Sequence, residues 1–81
     1  MLKLRAFDVV RVVRLLEPDR SFDGSESVRR APRIGDVGTI VHEYDPSRSD
    51  APVSVEMLDG NGMTVWLADF RREELELVEE P

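Results

Sequence analysis

The sequence lacks cysteine and any long hydrophobic run. Without cysteine there can be no disulfide, thiolate metal site or cysteine nucleophile, and a reducing compartment such as the cytoplasm is favoured. The longest uninterrupted apolar run covers residues 65–68, whereas a membrane-spanning helix needs roughly 20 residues. Near the N-terminus, Asp8 and Arg11 interrupt the apolar stretch too early for a signal peptide. We therefore expect a cytoplasmic protein without a membrane segment.

Residues that carry catalysis are also scarce. His42 is the single histidine, and catalysis needs partners that converge on an acid, base or nucleophile. The acidic residues between 73 and 80 lack the turn glycine of a calcium loop, which favours a solvated end. Gly35-Asp36-Val37-Gly38 is not followed by the Lys-Ser/Thr pair of a phosphate-binding loop. We predict no catalytic residue, no metal and no cofactor, and a protein that is not an enzyme.

Charge is distributed unevenly along the chain. Residues 1–33 hold eight Lys/Arg and five Asp/Glu, a balance of +3, whereas residues 34–81 hold three and twelve, a balance of -9; the sum is the net charge of -6. An acidic domain repels a phosphate backbone, so nucleic acid would have to be bound by the arginines of the first half. The overall charge argues against such a partner.

What the sequence does contain is enough apolar material for one small core. The chain has 81 residues, of which 41% are hydrophobic, and this predicts a single domain over residues 1–81. Residues 17–33 are rich in charged residues, serine and proline, which predicts a long and mobile first loop. Residues 79–81 are expected to fray.

The remaining segments are typical of β-strands. The β-branched stretch 7–16 changes its alternation midway, which predicts a first strand with a bulge or bend. Asp-Gly and Asn-Gly at 59–62 predict a tight hairpin. Asp69 is expected to cap one helical turn at 70–74; a C-terminal helix over 70–79 is disfavoured, because its apolar residues lack three-four spacing. The further strands are predicted at 35–44, 53–58, 63–68 and 75–78. Together they indicate an all-β fold, a small SH3-like barrel of about five strands whose closure would protect its edges.

Several of these segments resemble a known family. They are Phe7-Asp8-Val9-Val10-Arg11, Gly35-Asp36-Val37-Gly38-Thr39-Ile40-Val41, Val55-Glu56-Met57 and Leu67-Ala68-Asp69. Their order and spacing resemble the bacterial domain of unknown function 4926, and a weaker similarity links the chain to the SH3-like domain of the nitrile hydratase β subunit. The resemblance implies a bacterial SH3-like barrel and supplies no catalytic residue. The enzyme's activity does not transfer, because its metal is held by cysteines of the other subunit.

Five side chains are candidates for contact with a partner. Arg29, Arg30 and Arg33, with Arg20, form a basic cluster on the long loop, and the first three are the candidates; arginine binds carboxylates or phosphates with paired donors. Tyr44 and Trp66 are the large amphipathic residues; alternation leaves open whether Trp66 packs in the core or lies on the surface. We predict a monomeric, non-catalytic module that binds an unidentified protein. The alternative is a nucleic-acid or ribosome-associated module of KOW type, suggested by the glycine-bearing strand and the loop arginines.

Overall fold

The chain forms one antiparallel sheet of five strands. The computed structural model describes residues 4–80. The strands run in the order β4-β3-β2-β1-β5, and the predicted all-β class, the five strands and the helical turn are confirmed. The elements are β1 (Val9–Val12), β2 (Val37–Glu43), β3 (Val53–Leu58), β4 (Thr64–Phe70), a 3₁₀ turn (Arg72–Glu74) and β5 (Leu75–Glu79).

The sheet does not close into a barrel. β4 and β5 stand at the two ends of the strand order, and within residues 4–80 no ladder joins them. The prediction of a closed barrel is therefore wrong. All five strands nevertheless contribute to one core, so the single sheet curls around its own apolar face. The buried cluster consists of Leu4, Val10, Val12, Ile40, Val53, Val55, Val65, Trp66, Ala68, Phe70 and Leu75.

Trp66 lies at the centre of this core. Its side chain is fully buried, and its ring stands 5.4 Å from that of Phe70 at an angle of 53°. Alternation along β4 therefore turns Trp66, Ala68 and Phe70 inward. Val65 is buried too, in the part of β4 whose edge the long loop follows. The core interpretation of Trp66 is confirmed and the surface interpretation is wrong.

β1 is shorter than the sequence predicts. It ends at Val12, because the next two amides, of Val13 and Arg14, donate to the carbonyl of Glu74 instead of continuing the ladder. The predicted irregularity is present as a register shift against β5 between Val9 and Val10. This bulge adds one residue to β5.

The long loop follows the free edge of β4. Asp23 forms a β-bridge with Leu67, in which each backbone amide donates to the other carbonyl, at 2.9 and 2.8 Å. The amides of Ser25 and Arg30 donate to the carbonyls of Thr64 and Val65. These bonds define the path of residues 23–30 over β4 and satisfy an edge that would otherwise be open. Mobility of the loop in solution stays a prediction.

The turn before β5 is capped by a residue other than the expected one. Asp69 belongs to β4, and Arg71 is the N-cap of the 3₁₀ turn. The carboxylate of Glu74 accepts the backbone amide of Arg71 at 2.8 Å, so the cap comes from inside the turn. Asp69 as a cap is therefore wrong. β5 continues to Glu79, which the sequence assigns to a frayed tail, and position 81 lies outside the described residues.

Candidate binding groove

A groove lies beside β5. It encloses about 970 Å³. Its lining combines apolar with polar and charged side chains, the combination typical of ligand sites. We call its apolar side chains the floor (Leu4, Pro52, Leu75 and Leu77) and its polar and charged side chains the rim (Glu17, Ser49, Asp50, Arg71, Arg72 and Glu73).

Arg72 assembles one wall of this groove. Its Nε donates to the carbonyl of Ala51 at 2.8 Å, and its Nη1 donates to the carbonyl of Leu4. Its Nη2 lies 3.4 Å from Oε1 of Glu43, and both side chains are nearly buried. The other carboxylate oxygen of Glu43 accepts the amide of Ala6. One guanidinium thus joins the N-terminal segment, the β2–β3 loop and the 3₁₀ turn.

A buried ion pair stabilises the turn on the opposite side. Oε2 of Glu74 lies 2.6 Å from Nη2 of Arg20 and also accepts the amide of Leu16, and the Glu74 side chain is fully buried. Burial by itself raises the pKa of Glu74, but the bonds from Leu16, Arg20 and Arg71 outweigh it, so that this pKa lies below its ordinary value. The pair fixes the turn that carries Arg71 and Arg72.

Arg20 contributes more than one charge-assisted bond. Its guanidinium carbon lies 4.1 Å from the centre of the Phe70 ring, a cation–π distance. Its Nε and Nη1 atoms are buried and have no hydrogen-bond partner among the described residues. They are also inaccessible, so this side chain supports the fold and does not present donors to a ligand.

Asp36 is a second organising carboxylate, and the sequence patterns did not reveal it. Its Oδ2 accepts hydrogen bonds from Nη1 of Arg30, the indole of Trp66 and the amide of Arg33, at 2.8, 2.9 and 2.9 Å. Its Oδ1 accepts Nη2 of Arg30 at 3.0 Å. Burial raises the pKa of Asp36, but these donors outweigh it and lower the pKa below its usual range. A signal was available: the single tryptophan of a small core needs an acceptor for its N–H.

The three predicted arginines do not converge on one surface. Arg30 is bound bidentately to Asp36, and its side chain is 29% exposed. Arg29 is exposed and its guanidinium lies 5.7 Å from the ring of Phe22. Arg33 is exposed and contributes its amide, not its charge, to the Asp36 cluster. Arg30 is therefore neutralised by an ion pair within the domain and does not belong to an exposed basic cluster.

Tyr44 lies on the surface, away from the groove. Its side chain is 53% exposed, its hydroxyl donates to Oδ1 of Asp69 at 2.8 Å, and its ring meets that of His42 edge-on at 4.8 Å. The bond to Asp69 raises the pKa of Tyr44. Tyr44 lines a smaller concavity of about 320 Å³, bordered by the loop residues 21–23. The structure does not bring Tyr44 and Trp66 together, because Trp66 is internal.

Among residues 4–80, no three His, Asp or Glu side chains are grouped as a metal site. No helix within the same residues is long and apolar enough to cross a membrane. Comparison of the chain with protein-family models, with curated proteins and with solved structures returned no match. The resemblances to domain 4926 and to the nitrile hydratase β subunit stay predictions, and the described residues form an open, five-stranded antiparallel β-sheet with an apolar groove beside β5.

Proposed function

We propose that this domain is a non-catalytic module that binds another protein in the groove beside β5. The observation that carries the proposal is the groove itself, an apolar floor of four side chains with a polar and charged rim. Exposed apolar surface within a polar border is the pattern of protein interaction sites. Because Arg72 is immobilised by three partners, its wall is preorganised, and little conformational entropy is lost on binding.

A protein suits this surface better than nucleic acid does. The groove rim holds Glu17, Asp50 and Glu73, and both rim arginines face a carboxylate. A phosphate backbone would be repelled by this balance and by the net charge of -6. No specific contact favours the KOW-type alternative. The same proposal assigns the module to the bacterial cytoplasm as a monomer, supported by the absence of cysteine and by the family resemblance.

Site-specific photocrosslinking tests the proposal. A benzophenone side chain is introduced at Pro52, which is exposed and lines the groove. The matched control carries it at Leu58, which is 51% exposed and lies outside the groove. After irradiation in cells that express the chain naturally, we expect a discrete heterologous adduct from position 52 and none from position 58.

Competition in lysate shows whether this adduct reports the groove. Excess unlabelled wild-type domain should suppress the adduct, whereas excess Leu77→Asn domain, with a polar group on the groove floor, should not. The Leu77→Asn domain must first show wild-type amide NMR spectra outside β5. Equal labelling from both positions, or equal competition by both domains, would contradict the proposal.

A further inference from the structure

The outer edge of β5 offers unpaired backbone groups. The amide of Val12 donates to the carbonyl of Asp36 and its carbonyl accepts the amide of Gly35, both at 2.8 Å and both toward β2. In an antiparallel ladder, a residue that bonds on one side faces a neighbour on the other side whose polar groups point away. Leu75 stands opposite Val12 in the register, so its backbone groups face outward.

The same alternation applies two residues further on. Leu77 stands opposite Val10, which pairs with Gly38 of β2. The amide of Leu75 is already bound to the carbonyl of Arg72. The alternation directs the carbonyl of Leu75 and both backbone groups of Leu77 outward, and no loop or turn among the described residues bonds to them. β5 is thus a short but open template for another strand.

This edge lies directly beside the groove. The side chains of Leu75 and Leu77 form part of the groove floor, together with Leu4 and Pro52. A chain added alongside β5 would place every second side chain over that floor, because side chains alternate along a strand. Backbone bonding and apolar contact would therefore be made by one extended segment, as in other cases of strand addition.

The charges around the edge of β5 favour an added segment of positive charge. Residues 73–80 contain five glutamates and no basic residue. Glu74 is buried against Arg20 and Glu76 is paired with Arg11, while Glu73, Glu79 and Glu80 form no ion pair within the described residues. An incoming strand with lysine or arginine between its apolar residues would be attracted to these three carboxylates.

A second copy of the chain is a poor occupant of the same edge. Pairing β5 with another β5 would bring glutamates of both copies close together, and like charges facing each other across strands are destabilising. This repulsion protects the edge against self-association and leaves a basic strand as the complementary partner. The bulge after Leu77, where Val78 is the extra residue, limits regular pairing with any added strand to the groups up to Leu77.

From these observations we infer that β5 binds an extended, basic peptide segment as a sixth strand, with its apolar side chains in the groove. The inference rests on the proposed function and specifies its ligand class. The bonded groups would be the carbonyl of Leu75 and the amide and carbonyl of Leu77.

Titration with designed peptides tests the inference. The probe is a capped nine-residue peptide that alternates valine and lysine, and the controls are its glutamate counterpart and a version with N-methylated backbone amides. Binding is followed by amide NMR of the full chain. We expect saturable shifts along β5, slower exchange of the Leu77 amide, and affinity about tenfold weaker when salt is raised from about 0.05 to 0.5 M, because screening weakens the attraction between charges. Neither control peptide should bind.

Two matched pairs of variants localise the effect. Leu77→Pro and Leu77→Ala both shorten the side chain, but only proline removes the outward amide, and an edge strand tolerates proline there. Leu77→Pro should therefore bind the lysine peptide several-fold more weakly than Leu77→Ala. Replacing Glu79 and Glu80 by lysine should weaken binding, whereas Glu26→Lys, on the long loop, should not.

The failures of the two proposals are distinguishable. Equal binding of the lysine and glutamate peptides, no binding of the lysine peptide, or dimerisation of the chain through β5 in sedimentation would overturn the basic-strand inference. The natural groove adduct at position 52 could persist in each of these cases, and the proposed function would then stand. If positions 52 and 58 gave the same adduct, the proposed function itself would be overturned.

Discussion

At the scale of single residues, two carboxylates connect parts of the chain that are remote in sequence. Asp36 binds a loop arginine and the core tryptophan, and Glu74 binds an arginine that lies 54 positions earlier. Buried polar groups of this kind are costly when one partner is removed, since the other remains desolvated. Asp36 should therefore matter more to stability than its position after a turn glycine suggests.

Removing the Asp36 carboxylate should lower the free energy of unfolding by about 2–3 kcal/mol, because Asp36→Ala leaves the Trp66 indole without its acceptor and removes the bidentate carboxylate partner of Arg30. Urea unfolding followed by circular dichroism measures this change. The control is Asp50→Ala, which breaks an ion pair between two exposed side chains and should leave the unfolding midpoint unchanged. In the Trp66→Phe background, Asp36→Ala should lower the free energy of unfolding by less, because the indole donor is gone. An equal loss in both backgrounds would contradict the role given to the hydrogen bond between Trp66 and Asp36.

At the scale of elements, the sequence predicts a strand well where apolar and polar side chains alternate. It predicts the end of a strand poorly where backbone hydrogen bonds determine that end. Val53 and Val55 are buried as their alternation predicts. β1, in contrast, ends at Val12 because the amides of Val13 and Arg14 donate to the carbonyl of Glu74. Backbone hydrogen bonds of this kind leave no pattern in the side chains. The path of the long loop along β4 is also made by backbone bonds.

The groove escaped sequence reasoning for a related reason. Leu4, Pro52 and Leu75 come from three distant segments, and only the folded sheet and the Arg72 contacts bring them together. The predicted site residues followed from local composition. Composition could identify Tyr44 as an exposed aromatic, but it could not show that Arg30 is neutralised by Asp36.

Gly38 provides a test of strand packing. It is in β2, and a Cβ atom there would lie 2.7 Å from the carbonyl oxygen of Glu56 and 2.9 Å from a methyl carbon of Val55. The backbone of β3 cannot move away without breaking the ladder. Gly38→Ala should therefore destabilise the domain by about 1–3 kcal/mol, as overpacked cores do, measured by urea unfolding.

Gly60 is the matched control for this substitution. A Cβ atom at position 60 would meet nothing within 4 Å, and its φ is not positive. Gly60→Ala should be neutral or stabilising by up to about 1 kcal/mol, through the reduced entropy of the unfolded chain. If the two alanine variants unfolded at the same urea concentration, the close approach of β2 and β3 would not be what requires glycine at position 38.

At the scale of the whole molecule, the buried carboxylates make stability depend on pH. The pKa values of Asp36 and Glu74 are lowered in the folded state. Each group therefore adds stability that is complete above its unfolded pKa, about 4 for these side chains, and is lost as the pH falls through the folded value. Complete protonation of all seventeen Asp and Glu side chains would also leave the eleven Lys and Arg side chains unbalanced, so that repulsion adds to the loss at the lowest pH.

The Arg20–Glu74 pair links this pH dependence to the architecture. At neutral pH, Glu74→Gln leaves the buried Arg20 charge with only the half-exposed Glu17, 3.8 Å away, as a carboxylate partner among the described residues. This should cost up to about 3–5 kcal/mol, a large part of the roughly 4–12 kcal/mol that an 81-residue domain has. The double variant Arg20→Met with Glu74→Gln removes that charge and should be more stable than Glu74→Gln alone.

Thermal unfolding from pH 7 down to pH 3 compares the variants with the wild type. The stability gap between wild type and the double variant should narrow as the pH falls below about 4, because wild-type Glu74 then becomes neutral as well. A gap that stayed constant over this range would mean that the pKa of Glu74 is the same in the folded and unfolded states. The anchoring of the 3₁₀ turn, and with it the groove wall formed by Arg71 and Arg72, would then need another cause.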